Sequence, residues 1–135
     1  DQTLNDTPSI DQIYQMVSQL EKQVIEKNGK VTGSPMVNIT RVDVNEVYTQ
    51  VALPLERDIA VSGGFAIKKM VLGNLLSVNV QGDQSKVNQA FEATKQYIID
   101  KQKSSPAIPF VIYNTNRLLE KDPNRWISTI NYPIY

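Results

Sequence analysis

An internal repeat constrains this chain more than any other feature. Ser34-Pro-Met-Val-Asn-Ile39 and Ile108-Pro-Phe-Val-Ile-Tyr113 each set a proline ahead of an apolar, strand-like run, and the two prolines lie 109 − 35 = 74 residues apart. The same step carries Ile13, Val17, Leu20 and Val24 onto Val87, Phe91, Thr94 and Ile98. Farther on, Val51-Ala-Leu-Pro-Leu55 is echoed by Ile130-Asn-Tyr-Pro-Ile134. A repeat of this length marks a supersecondary unit that is used more than once. The chain therefore reads as two copies of one module.

The content of the module follows from local patterns. Ile10, Ile13, Val17, Leu20 and Val24 recur at helical spacing, and Lys27-Asn28-Gly29 supplies a cationic last turn and a glycine stop. The helix start stays open between Thr7 with Pro8 at the first position and Ser9 with Gln12 as a capping box. Met36–Val42 and a strand bearing Val47, Thr49, Val51, Leu53 and Leu55 on one face are joined by Asp43-Val44-Asn45, the signature of a hairpin. After a loop with Ser62-Gly63-Gly64, short strands are predicted over Phe65–Met70 and Asn74–Val80. A second helix, capped by Asp83, carries Val87, Ala90, Phe91, Thr94 and Ile98, and Ser104–Pro109 breaks it. Strands over Pro109–Asn116 and Trp126–Tyr135 flank a polar segment. The reading is α+β: two pseudo-symmetric β-α-β-β modules with an antiparallel sheet and two long helices. They form a single domain over 1–135, module one at 1–56 and module two at 65–135. Subtracting 74 from the strand before the second helix predicts a short leading strand within residues 1–6.

Composition removes several functions. With 14 basic and 14 acidic residues the net charge is +0, and the basic residues are scattered, so no phosphate-neutralising patch is expected. Neither cysteine nor histidine is present. Thiolate chemistry, a histidine-dependent triad and the usual histidine-bearing zinc sites are thereby excluded. No apolar run approaches the ~20 residues of a membrane-spanning helix. Gly63-Gly64 precedes no helix start and no Lys-Ser/Thr pair, so it is not a phosphate cradle. No cofactor or metal is expected.

The second half, with Val71-Leu-Gly-Asn-Leu-Leu-Ser-Val-Asn-Val-Gln-Gly82, a helix from Lys86 to Ile99, Pro109-Phe-Val-Ile-Tyr113 and Trp126-x-x-Thr-Ile-x-Tyr-Pro-Ile134, resembles the GyrI-like, or bacterial transcription-activator effector-binding, domain family. Gly33-Ser-Pro35 and Val51-x-x-Pro-Leu55 extend the resemblance into the first half, so that it spans about Ile10 to Tyr135. It rests on the order and spacing of weak motifs. The resemblance implies paired β-α-β-β modules with a cleft between them for small molecules. It also implies roles as sensor halves of transcription regulators, as stand-alone binders, or in some members as hydrolases of reactive electrophiles. Where many members carry a pocket glutamate two residues before a tyrosine, this chain has Val111 before Tyr113. That departure weakens both cation recognition and glutamate-dependent hydrolysis.

Tyr113, Tyr48, Trp126, Val111 and Glu46 are the candidate ligand-binding residues, and no catalytic residue is assigned. Aromatic rings give broad contact area with a polar handle. Alternation puts Val111 and Tyr113 on one face, and the resemblance implies that this face lines the cleft, with Phe110 and Ile112 against the helices. Glu46 and Tyr48 share a face opposite Val47, Thr49 and Val51; Glu46 is the leading replacement acid, although a solvated hairpin-end carboxylate is the favoured reading. Ordinary packing is the favoured reading of Tyr132, Met16 and Met70. The expected function is capture of a neutral, mainly apolar small molecule by the sensor part of a larger protein, with a further domain upstream of Asp1 compatible with that role. No enzymatic activity, no direct nucleic-acid contact and no membrane span are expected of this chain; the compartment is unassigned, with the cytoplasm favoured. The alternatives are a hydrolase of reactive electrophiles and a ligand-free protein-interaction module.

Overall fold

A computed structural model of the protein describes residues 2–4, 7–69, 73–105 and 107–134. The element order is β1 (Gln2–Leu4), α1 (Ile10–Glu26), β2 (Met36–Asp43), β3 (Glu46–Ala52), β4 (Asn74–Gln81), α2 (Gln84–Asp100), β5 (Phe110–Tyr113), a 3-10 turn at Pro123–Arg125 and β6 (Ile127–Ile134). The fold is α+β. The chain divides into two compact units, Asp1–Met70 and Val71–Tyr135, and each runs strand, helix, strand, strand.

In the first unit Ser9 is the N-cap of α1: its hydroxyl accepts from the Gln12 N–H, while Gln12 Oε1 accepts from the Ser9 N–H at 2.8 Å. Two orphan N–H groups are thus satisfied reciprocally, and the capping box prevails over the Thr7-Pro8 start. Ile13, Val17 and Val24 of the apolar stripe are buried, joined by Tyr14 and Met16. The helix does not stop on Gly29 itself. Asn28 takes the left-handed conformation at φ 56°, and the Gly29 N–H donates back to the Val24 carbonyl at 2.8 Å. This is a Schellman closure. Gly29 is nonetheless constrained, because a Cβ there would sit 3.0 Å from both Ile59 Cγ2 and Val24 Cγ1.

Strand β3 lies between β1 and β2, antiparallel to both. The short leading strand is therefore present as Gln2–Leu4. Val47, Thr49 and Val51 are buried, with Val37 of β2 opposite Val51. The β2–β3 turn is closed by the Asp43 side chain, whose Oδ1 accepts from the Asn45 N–H at 2.7 Å. Residues 65–69 are not a strand. Phe65-Ala-Ile67 has strand-like composition, yet a strand needs a partner to take up its backbone groups, and none pairs with it among the described residues. Met70, the end of that predicted strand and a predicted core residue, lies outside the described residues.

In the second unit β6 lies between β4 and β5, antiparallel to both. Helix α2 packs on β4 and β6. It repeats the ending of α1: Gln102 has φ 54°, and the Lys103 N–H donates to the Ile98 carbonyl at 3.0 Å. The helix thus ends on its own Schellman closure, before the prolines that were expected to break it. Val87, Thr94 and Ile98 are buried; the Thr94 hydroxyl donates to the Ala90 carbonyl at 2.7 Å, which satisfies it inside the core. Strand β5 is four residues long rather than the eight of Pro109–Asn116. It ends because Asn116 folds the chain into a turn, its side-chain oxygen accepting from the N–H groups of Leu118 and Leu119.

Candidate functional site

The candidate site in the second unit is built where β5 gives way to that turn. The Thr115 N–H donates to the Ile127 carbonyl, and the Ile127 N–H returns to the Thr115 hydroxyl at 3.0 Å. The Asn116 turn then aims Arg117 back under the sheet. Farther along, Asp122 caps the 3-10 turn by accepting from the Asn124 N–H. The indole Nε1–H of Trp126 donates to the Glu120 carbonyl at 2.9 Å. These local bonds hold the segment 114–126 as a strap across the end of the sheet.

Arg117 is only 5% exposed, and its guanidinium is held from several sides. Its carbon lies 3.6 Å from the centroid of the Tyr113 ring and 4.7 Å from that of Trp126. Nη1–H donates to Gln84 Oε1 at 2.7 Å, and Nη2–H to the buried Ser128 hydroxyl at 2.9 Å. Gln84 is the first residue of α2, and its amide nitrogen in turn donates to Asn88 Oδ1. A planar cation between two aromatic faces, with hydrogen bonds in its own plane, is the geometry guanidinium favours. Tyr113 and Trp126 are 3% and 7% exposed.

Sequence reasoning missed Arg117, which stands in a polar stretch and reads there as a solvated charge. The available signal was its place four residues after Tyr113 and nine before Trp126, both already candidates. The structure brings Tyr113, Trp126 and Arg117 together. Val111 lies on the same face as Tyr113 and is partly buried, its Cα partner being Ile130.

The orientation of that face is a correction. Residues opposite one another in an antiparallel pair share a face. Tyr113 is opposite Ser128 and Val111 opposite Ile130, while Tyr132, on the same side of β6, rests against Phe91 of α2 with ring centroids 5.7 Å apart. Tyr113 and Val111 therefore face α2, and Phe110 and Ile112 face away from it. The opposite arrangement was expected. The face turned from α2 carries a row of amides and hydroxyls: the Thr129 hydroxyl lies 2.8 Å from Asn79 Oδ1 and 2.9 Å from Asn114 Oδ1, and Ser77 bonds to Asn131.

Tyr48 and Glu46 belong to the first unit. Both sit on the side of β3 opposite the buried Val47, Thr49 and Val51, and both are partly exposed. Glu46 is the first residue of the strand, with Asp43 as its Cα partner across the turn. Among the described residues no group of three or more His, Cys, Asp or Glu is placed to hold a metal ion, and no helix is long and apolar enough to cross a membrane.

No family model matches the chain, and no curated protein matches it. Solved structures do. The chain is similar to EcmrR in a cryo-EM structure of the EcmrR–DNA complex, with a TM-score of 0.78 at 11% identity, over 98% of this chain and 52% of that one. It spans about half the length of that relative. It is also similar to the crystal structure of the EcmrR C-terminal domain, with a TM-score of 0.74 at 13% identity, over 99% of this chain and 87% of that one. At such identities the likeness speaks for the fold, and the fold of this chain is that of the EcmrR C-terminal domain.

Proposed function

We propose that this chain is the small-molecule effector-binding domain of a transcription regulator and that it binds rather than transforms its ligand. The observation that carries the reading is the shared fold with the C-terminal domain of EcmrR, a protein solved in complex with DNA. This chain contributes no excess positive charge, so DNA contact is assigned to another part of such a protein and sensing to this one. Tyr113, Trp126 and Val111 are the proposed contact residues of the second unit, and Tyr48 and Glu46 those of the first. The Arg117 guanidinium against Tyr113 weighs against a cationic ligand, because a cation brought to that ring would meet a like charge at short range. The neutral, mainly apolar class is proposed on the aromatic and aliphatic character of Tyr113, Trp126 and Val111.

Thermal-shift measurements against a panel of neutral, cationic and anionic small molecules test the proposal. A ligand at a hundredfold excess over its Kd adds ~2.7 kcal/mol to stability, so neutral apolar members are expected to raise Tm, and Tyr113→Ala to abolish the rise. No shift with any member would overturn small-molecule sensing. Hydrolysis of reactive electrophiles is expected to stay at the background rate in wild type. Turnover that Tyr113→Phe or Glu46→Gln removes would establish an enzyme instead.

A further inference from the structure

Strand β4 stands at the end of the strand order, and β6 is its one strand partner among the described residues. An eight-residue edge of this kind offers a row of N–H and C=O groups to any other strand. Proteins ordinarily blunt such edges with Lys, Pro, bulges or short length. In the first unit, by comparison, the edge strand β1 is three residues long. In contrast, Asn74-Leu-Leu-Ser-Val-Asn-Val-Gln81 contains no charged residue and no proline, and pairs with β6 in unbroken register.

The strand is also complementary to itself. Leu76, Val78 and Val80 are partly buried on the side facing α2, whereas Leu75, Ser77, Asn79 and Gln81 are exposed on the other. In an antiparallel pair, opposed residues must lie on the same face, so only registers that match like parity keep the apolar side together. Turning β4 about a two-fold axis through Val78 opposes Leu76 to Val80, Val78 to Val78 and Ser77 to Asn79. On the α2 side apolar then meets apolar; on the other side amide meets hydroxyl at 77 and 79, Leu75 meets Gln81, and no charge is present to repel.

The geometry points to β4 as a docking edge for a second copy of this chain, joined antiparallel across Val78. The interface is isologous, and it continues the sheet from one protomer into its partner. A single strand pair buries less than the roughly 1,600 Å² of a standard stable interface. The dimer is therefore concentration-dependent in this chain alone, and it is independent of whether a small molecule binds.

Sedimentation velocity over a wide concentration range tests this. Wild type is expected to show a reversible monomer–dimer equilibrium. Ser77→Lys/Asn79→Lys opposes lysines at two places across the axis and is expected to weaken dimerisation at least about tenfold, like charges directly opposite being destabilising. Ser77→Lys/Asn79→Glu loses the same native side chains but opposes lysine to glutamate, and is expected to restore the dimer. Thermal melts check that both variants fold. A wild type that stays monomeric, a dimer indifferent to the lysine pair, or one that the lysine–glutamate variant fails to restore would each overturn the inference. Ligand binding by a strictly monomeric chain would leave the effector-binding reading intact while removing this one.

Discussion

The guanidinium carbon of Arg117 lies 3.6 Å above the ring centroid of Tyr113, so this proposed ligand contact is already covered on one face by the protein's own cation. Any molecule that stacks on that face must displace Arg117 from it, and displacement disturbs Gln84 at the start of α2 and Ser128 on β6 through the bonds Arg117 makes to both. Tyr113 is thereby connected to the helix start and to the 114–126 strap by one side chain.

Replacing Arg117 with alanine is expected to destabilise the protein by about 3 kcal/mol. Two charge-assisted hydrogen bonds and a desolvated cation–π contact are lost, and Gln84 Oε1 loses its donor. Arg117→Lys is expected to recover less than half, because an ammonium cannot reach both acceptors in one plane while stacking on two rings. Urea denaturation gives both values. A cost within about 0.5 kcal/mol, as for an ordinary surface change, would mean that the stack contributes little to the fold.

The helices were legible because their information is local. Ile13, Val17 and Val24 declare a buried stripe by spacing alone, and Asp83 ahead of Val87 declares the start of α2. The start of α1 was narrowed to two local solutions, of which the structure takes Ser9 with Gln12. Alternation likewise picked out Val47, Thr49 and Val51. What alternation cannot supply is which side of a strand a helix will cover, since that depends on contacts remote in sequence. Tyr113 and Val111 were correctly grouped and then assigned to the wrong side. Over 65–69 the predicted strand failed for a related reason: strand-forming composition is a local property, and the existence of a partner is not. Arg117 was missed because nothing in Asn-Thr-Asn-Arg itself distinguishes a buried guanidinium from a solvated one, and its spacing from Tyr113 and Trp126 was the one signal left.

The two helix ends give a matched comparison. Asn28 and Gln102 both hold positive φ, 56° and 54°, at the same place in their Schellman closures. Asparagine tolerates this conformation better than glutamine, and glycine carries no steric cost there. Gln102→Gly is expected to stabilise the protein by about 0.5–1 kcal/mol, and Asn28→Gly by less. Thermal melts of the two variants side by side would show the order. Equal gains would indicate that the asparagine side chain does nothing for its own turn.

Thr49 offers a stabilising change of a different kind. It is fully buried on β3, and its hydroxyl has no hydrogen-bond partner among the described residues. An unmade hydrogen bond in the core costs about 1–3 kcal/mol. Thr49→Val keeps the branched shape while removing the polar atom, and is expected to raise stability by about 1 kcal/mol in urea denaturation. A loss would show that the hydroxyl is satisfied in solution, by water held between β3 and its neighbours.

Acid should act on the Arg117 cluster through Asp83. The Asp83 carboxylate accepts from the Ser85 hydroxyl at 2.6 Å and from the Lys86 N–H at 3.2 Å, and these bonds, the Ser85 one foremost, lower its pKa below the ordinary 3.8. A carboxyl depressed in the folded state stabilises it above the unfolded pKa, and that contribution disappears as pH falls through the folded value. Stability is thus expected to decline from about pH 4 downward. Asp83→Ser, which keeps an N-cap oxygen as Ser9 does on α1, should flatten this limb. Because Asp83 caps the turn that begins with Gln84, weakening the cap loosens the residue that holds Arg117. Trp126, the single tryptophan of the chain, stacks on that same guanidinium. Its fluorescence is therefore expected to change along the acid limb before the global loss of helix by circular dichroism, and to do so at lower pH in Asp83→Ser. Superimposable fluorescence and dichroism transitions in both proteins would mean that the cap and the cation are not coupled.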